Sequence, residues 1–139
     1  MHSLFAIPPN RSLKQYQKLA YGQLNTLQIQ FSELQILIID EVSMVGANMR
    51  NFIDQRMQEI FDSNRPFGNI SLLFVGDLFQ LRPVGDKWIL HYPSTPYGVL
   101  APSFWTSNIQ MFELTKIMRQ KNIEYAEILN RIREAKHTK

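Results

Sequence analysis

The chain has 139 residues, 45% of them hydrophobic, a formal net charge of +3 and no cysteine. That is enough apolar material for one compact core, and it excludes disulfide scaffolds and thiolate metal sites while suiting a reducing compartment. No apolar run reaches the ~20 residues of a membrane-spanning helix, and the N-terminus lacks the basic-then-apolar order of a signal peptide, so a soluble protein with no membrane partner is expected.

Pro8-Pro9-Asn10 marks a turn or linker. From Thr26, Leu27, Phe31 and Leu34 fall near helical spacing and predict a short helix. Residues 34–39 are apolar except for Gln35, which predicts a strand covered on both faces, as in the centre of a parallel sheet. That run ends in Asp40-Glu41, and Val42-Ser43-Met44-Val45 carries apolar character round a tight turn. Residues 46–61 predict the clearest helix, with Met49, Phe52, Ile53, Met57, Ile60 and Phe61 on one stripe and Arg50, Asp54, Gln58 and Glu59 elsewhere. Breakers at 62–68 end it, and residues 70–75 predict a second strand leading to Gly76-Asp77. Short links in a strand–helix–strand order imply a right-handed crossover and a parallel pair. Residues 82–102 hold Pro83, Pro93, Pro96 and Pro102 with Gly85 and Gly98, and so predict a long irregular connection. Residues 112–114 suit a third short strand, and 122–133 a closing helix with Tyr125, Ile128, Leu129 and Ile132 on one face and a Glu127–Arg131 pair outside.

Ligands of open α/β sheets sit at the carboxyl ends of the strands. Asp40 and Glu41 leave one strand at that edge, and Gly76 and Asp77 leave the next. Phosphoanhydride hydrolysis needs a magnesium ion held through one or two carboxylates, and a group to orient the attacking water. Asp40 suits the first role and Glu41 the second, although an Asp-Glu pair alone reads equally well as a solvated strand end. Gln80, three residues after Asp77, carries an amide that donates and accepts at once, suiting contact with both a phosphate and a water. Arg119 offers a rigid donor fork for a terminal phosphate, though the residue alone reads as a surface arginine.

Residues 33–77 contain seven acids and three bases, whereas the remainder contains five acids and twelve bases. An acidic centre between basic flanks fits a magnesium site beside a polyanion track, and equally fits ordinary solvated surface. Phe79, Trp88, Tyr92, Tyr97, Phe104 and Trp105 interleave with Arg82, Lys87 and His91, a pattern that holds single strands by stacking and charge. More than half of these rings are expected to serve instead as anchors to the core. The three histidines lack metal-ligand spacing.

Leu-Ile-Ile-Asp-Glu-Val-Ser-Met-Val (37–45), Pro-Phe-Gly-Asn-Ile-Ser (66–71), Gly-Asp-Leu-Phe-Gln-Leu-Arg-Pro-Val (76–84) and Glu-Leu-Thr-Lys-Ile-Met-Arg-Gln (113–120) closely resemble the Pif (petite integration frequency) family of 5′-to-3′ DNA helicases, with the helicases of Helitron-type transposons as near kin. His2-Ser3-Leu4-Phe5 resembles the end of that family's Thr-x-His-Ser segment. The resemblance implies an α/β, RecA-like P-loop NTPase domain with a parallel sheet flanked by helices. ATP and magnesium would be its cofactors and single-stranded DNA its partner. Over residues 1–139 it would run from Walker B through the fourth motif of the first RecA-like domain. On these motifs, Asp40 corresponds to the magnesium-associated acid, acting through water, and Glu41 to the catalytic base. Gln80 becomes the γ-phosphate sensor, Arg119 the arginine of the fourth motif, and Gly76 and Asp77 line the nucleotide. His2, Phe5, Arg82, Pro83 and Trp105 are then expected near DNA. A monomer of the nucleus or mitochondrion is implied, working in DNA repair, recombination, telomere maintenance or transposition.

Three features depart from the family's pattern. No Gly-x-x-x-x-Gly-Lys-Ser/Thr occurs in the 139 residues, so the P-loop strand and helix are missing. The chain ends where the family continues into a second RecA-like domain. Arg82 stands where many members carry proline, and Lys116 where an acid is frequent. The expectation is a helicase fragment that hydrolyses no ATP alone, the alternative being a remnant that binds nucleic acid or a partner without turnover.

Overall fold

A computed structural model of the chain describes residues 3–7, 16–92, 104–116, 118 and 122–134. The chain divides into two compact units, residues 1–102 and 103–139. In the first, helix α1 (Tyr21–Gln30) precedes strand β1 (Ile36–Ile39), a 3-10 turn (Val42–Met44), helix α2 (Ala47–Ile60), a second 3-10 turn (Pro66–Asn69) and strand β2 (Ser71–Phe74). The strands pair in parallel, from Ile36 opposite Ser71 to Ile39 opposite Phe74. Helix α1 starts five residues before the position its apolar spacing predicts, but Leu27 and Phe31 are buried as that spacing requires.

Among the described residues, β1 is buried on one face and exposed on the other. Leu37 and Ile39 are 7% and 4% exposed, whereas Ile36 and Ile38 on the opposite face are 49% and 58% exposed. Leu73 and Val75 share that openness. The expectation of cover on both faces therefore fails, because the described packing buries only alternate residues of β1.

Helix α2 is the spine of the unit. Phe52, Ile53, Met57 and Ile60 are buried as the periodicity predicts. Arg50, Asn51 and Arg56 are buried too, although Arg50 falls off the apolar stripe. Buried charge is tolerated when its donors are satisfied, and each of these charges reaches a distant part of the backbone. Arg56 donates from Nε to the Phe5 carbonyl at 3.0 Å and from Nη2 to the Gln17 carbonyl at 3.2 Å. Its Nη1 pairs with Glu59 at 2.6 Å. Glu59 also accepts from the Leu19 amide at 2.9 Å and from the Tyr16 hydroxyl, while the Tyr16 ring lies 4.9 Å from the guanidinium carbon of Arg56. Burial, reinforced by the bond to Glu59, pushes the Tyr16 hydroxyl well above the ordinary phenol range. Arg50 donates to the Ile89 carbonyl at 3.3 Å.

Asp54 performs the same service for the turn before β2. It accepts from the Phe67 amide at 2.6 Å and from the Gln58 side chain at 2.9 Å. Phe67 holds a left-handed φ of 51° with its ring buried edge-on to Phe74, centroids 6.4 Å apart.

In the second unit, α3 (Phe104–Asn108) and α4 (Ile123–Arg133) are the regular elements among the described residues. Asn122 caps α4 by accepting from the Tyr125 amide at 3.1 Å. The predicted Glu127–Arg131 pair is present at 3.7 Å on an exposed face, where such pairs contribute little. Residues 112–114 form no strand; Met111, Phe112 and Leu114 are exposed and irregular. Three residues without a described neighbour to pair with have no ladder to satisfy their backbone.

Burial raises the Asp54 carboxyl above its ordinary value, against the opposing pull of the Phe67 amide, Gln58 and Arg50. A raised folded-state value means that ionisation costs stability, and the cost is complete once pH exceeds that value. Asp54→Asn keeps an acceptor for Phe67 and removes the titration. The melting temperature of the variant minus that of the wild type should therefore rise between about pH 4 and pH 7; a flat difference across thermal melts would show that ionisation there carries no penalty.

Candidate functional site

The two strand exits are joined by backbone. The Val75 amide donates to the Ile39 carbonyl at 2.9 Å, and the Val42 amide returns to the Val75 carbonyl at 3.0 Å. The parallel ladder thus runs one step beyond each strand and sets residues 40–42 beside residues 75–77. Gly76 makes that approach possible. Its φ is +150°, and a Cβ there would lie 2.7 Å from the Val42 nitrogen. The nearest atom is backbone and cannot swing aside, so any larger residue is strained at this position.

Glu41 adopts left-handed backbone, φ 53° and ψ 47°, as it starts the 3-10 turn. For a non-glycine residue that conformation costs on the order of 1 kcal/mol or more and marks a site where the chain is held by its surroundings. What holds it is visible. The Asp40 carboxylate accepts from the Glu41 amide at 2.8 Å, and the Glu41 carbonyl accepts from the Met44 amide at 3.0 Å. Both carboxylates are exposed. Across the ladder, the Asp77 carboxylate accepts from the Phe79 amide at 3.0 Å, and its carbonyl accepts from the Gln80 amide at 3.0 Å. This Asx-type turn keeps Gln80, also exposed, within one turn of the β2 exit.

Among the described residues no three His, Asp or Glu side chains group as a metal site. A lone exposed Asp40 fits an ion that keeps most of its waters and takes its remaining ligands from a nucleotide, which is magnesium's habit.

The other expected positions are dispersed. Arg82 is exposed and Pro83 half-buried in the segment after Gln80, and Trp105 is half-buried in α3 of the second unit. Phe5 corrects its expectation. Its ring is 1% exposed and stacked on Phe31 with centroids 6.0 Å apart, so it is a core anchor and not a surface for bases. His2 and Arg119 lie outside the described residues.

One residue of this region escaped the sequence reading. Asp86 accepts from the Asn48 amide at 3.1 Å and the Met49 amide at 3.2 Å, capping α2 from 38 residues downstream of Asn48. The N-cap position itself is Gly46, where a Cβ would fall 2.0 Å from the Asp86 carboxylate. The Ala47 amide donates to the Lys87 carbonyl at 2.8 Å, and Gly46 and Trp88 form an antiparallel bridge. The signal was the missing cap: the helix opens with Gly46, and not Ser, Thr or Asp, at its N-cap, so its side-chain acceptor comes from elsewhere.

A parallel α/β unit with acids at two adjacent strand exits belongs to the class that binds ligands at its carboxyl edge. Comparison with known proteins agrees and is more specific. The family model of the PIF1-like helicases matches residues 1–137. The ATP-dependent DNA helicase PIF1 of Emericella nidulans is 37% identical over 101 residues, covering 73% of this chain and 13% of that protein. The ATP-dependent DNA helicase RRM3 of Saccharomyces cerevisiae is 38% identical over 103 residues, covering 70% and 13%. The crystal structure of a Bacteroides Pif1 helicase in complex with ADP-AlF3 and ssDNA superposes with a TM-score of 0.73 at 29% identity, covering 99% of this chain and 33% of that one. The chain belongs to the PIF1-like helicase family, and its fold is that of part of the RecA-like domains of those helicases. It spans only 13% of the length of the two curated relatives.

Two substitutions test this geometry. Gly76→Ala should destabilise the unit by about 1–3 kcal/mol, the scale of enforced backbone strain, read as a lower urea midpoint. Asp86→Ala should cost about 1–2 kcal/mol while Asp86→Asn, still an acceptor, stays near wild type. Hydrogen exchange should then show lost protection at Asn48 and Met49 in the alanine variant alone.

Proposed function

We propose that the chain is the part of the first RecA-like domain of an ATP-dependent 5′-to-3′ DNA helicase that runs from the Walker B acids through the fourth helicase motif. The observation that carries this reading is the backbone junction at Gly76, which sets Asp40-Glu41 beside Asp77-Gln80 on one sheet edge. The names of the relatives, ATP-dependent DNA helicases, support it, as does the nucleotide analogue and single-stranded DNA in the related crystal structure.

Asp40 would hold magnesium through water, and the ion, when bound with ATP, neutralises charge on the β- and γ-phosphate oxygens. Glu41 would accept the proton of the attacking water, its backbone held in the left-handed conformation while its amide donates to the Asp40 carboxylate. Gln80 would contact the γ-phosphate through an amide that both donates and accepts. Arg119 would supply positive charge to the transferred group, and Gly76 and Asp77 would border the nucleotide. On the nucleic-acid side, His2, Arg82, Pro83 and Trp105 would face a single strand. The protein would act as a monomer in the nucleus or mitochondrion, in repair, recombination or telomere maintenance.

The decisive measurement separates binding from turnover in a protein that also carries the phosphate-binding loop. Glu41→Gln should slow ATP hydrolysis by about 100-fold or more, the usual share of a general base, with ATP affinity nearly unchanged. Parallel loss of affinity and turnover would make Glu41 a structural residue and sink the assignment.

A further inference from the structure

Among the described residues Arg82 differs from Arg50 and Arg56, the buried arginines of the first unit, in resting on a ring alone. Arg56 and Arg50 donate to protein carbonyls and are buried. The Arg82 guanidinium is exposed, its carbon 4.9 Å from the centre of the Trp88 ring, and no carboxylate among the described residues pairs with it. Asp86, the acid within its own loop, is committed to the amides of Asn48, Met49 and Lys87.

Trp88 is a fixed support. Its backbone bridges Gly46, its carbonyl accepts from the His91 amide at 2.8 Å, and the next residue, Ile89, is completely buried with its carbonyl on Arg50. The indole nitrogen is buried as well. A guanidinium lying over an aromatic face keeps its in-plane N–H donors free. A flexible surface arginine must lose rotamer freedom to bind a phosphate; one already resting on a fixed ring has lost part of it beforehand.

We infer that Trp88 is a positioning residue for single-stranded nucleic acid, holding Arg82 as a preorganised phosphate contact on a loop that Asp86 clamps to the start of α2. The inference rests on the nucleic-acid reading proposed above and deepens it by naming the contact and its support. It assigns Trp88 a role other than base stacking: the ring is occupied by the arginine, and the arginine meets the strand.

The test is fluorescence anisotropy of the full chain on a mixed-sequence single-stranded DNA oligonucleotide at several salt concentrations. One phosphate contact on a single strand contributes about 0.7 to the slope of log affinity against log salt, or about fivefold in affinity at 0.1 M. Arg82→Ala should lower the slope by about that amount. Trp88→Leu should do the same, the double variant should be no weaker than either single, and Trp88→Phe, which keeps a ring, should remain near wild type. Urea denaturation of each variant tracks folding separately. If Trp88→Leu lowers stability but leaves the wild-type slope, the ring is structural only and the inference falls. An unchanged slope in Arg82→Ala would remove the contact itself. Absence of salt-dependent binding in the wild type would instead overturn the nucleic-acid reading on which both depend.

Discussion

Buried charge on α2 is the constraint that organises the first unit. A guanidinium or carboxylate taken out of water must be answered by hydrogen bonds, or the desolvation cost destabilises the fold by several kcal/mol. Arg56 is answered by the carbonyls of Phe5 and Gln17, Arg50 by that of Ile89, and Asp54 by the amide of Phe67. Each answer fixes a different segment: the N-terminal stretch, the loop after Gln80 and the turn before β2. A helix with a purely apolar inner face would bury comparable area and specify none of these three placements. The apolar stripe gives α2 its burial, and its charges give the surrounding chain its address.

The site inherits its precision from that frame. Gln80 lies on a turn tied to Asp77, and the segment that follows is held at Asp86, Lys87 and Ile89 to the first turns of α2. The opposite end of the same helix start is the 3-10 turn that begins at Glu41. The acid exit of β1 and the amide that follows β2 are therefore braced twice, once through the ladder at Val42 and Val75 and once through the helix cap. Both braces use a glycine where a methyl group would collide, Gly76 against Val42 and Gly46 against Asp86.

Much of this was legible in the residues because its causes are local. Apolar runs followed by carboxylates located both strands and their exits, and the 3.6-residue stripe located α2. What was not legible depends on distant partners. Arg50 and Arg56 look like solvent-facing residues until their carbonyl acceptors are known, since periodicity sees polarity and not satisfaction. Phe5 matched a motif position associated with DNA, yet its ring joins Phe31 in the core. The apolar run at 34–39 suggested a strand enclosed on both sides, and only alternate residues of β1 proved covered. A continuous apolar strand reports what its faces can tolerate, and the packing partner that would cover the second face is not encoded in the strand. The run at 112–114 shows the converse, since β-propensity without a paired neighbour yields exposed, irregular chain.

The helix cap supplied by Asp86 carries a consequence for how the unit is built during synthesis. Chains emerge N-terminus first, so β1, α2 and β2 are all made before residue 86 exists. Until then the Asn48 and Met49 amides at the start of α2 lack their carboxylate acceptor. Asp86 closes a loop of 38 residues onto Asn48, and Lys87, Trp88 and Ile89, made directly after it, join the same attachment to α2. A chain interrupted between residues 80 and 85 would therefore possess the acids of the site and Gln80 without the carboxylate that holds the following loop to the start of α2.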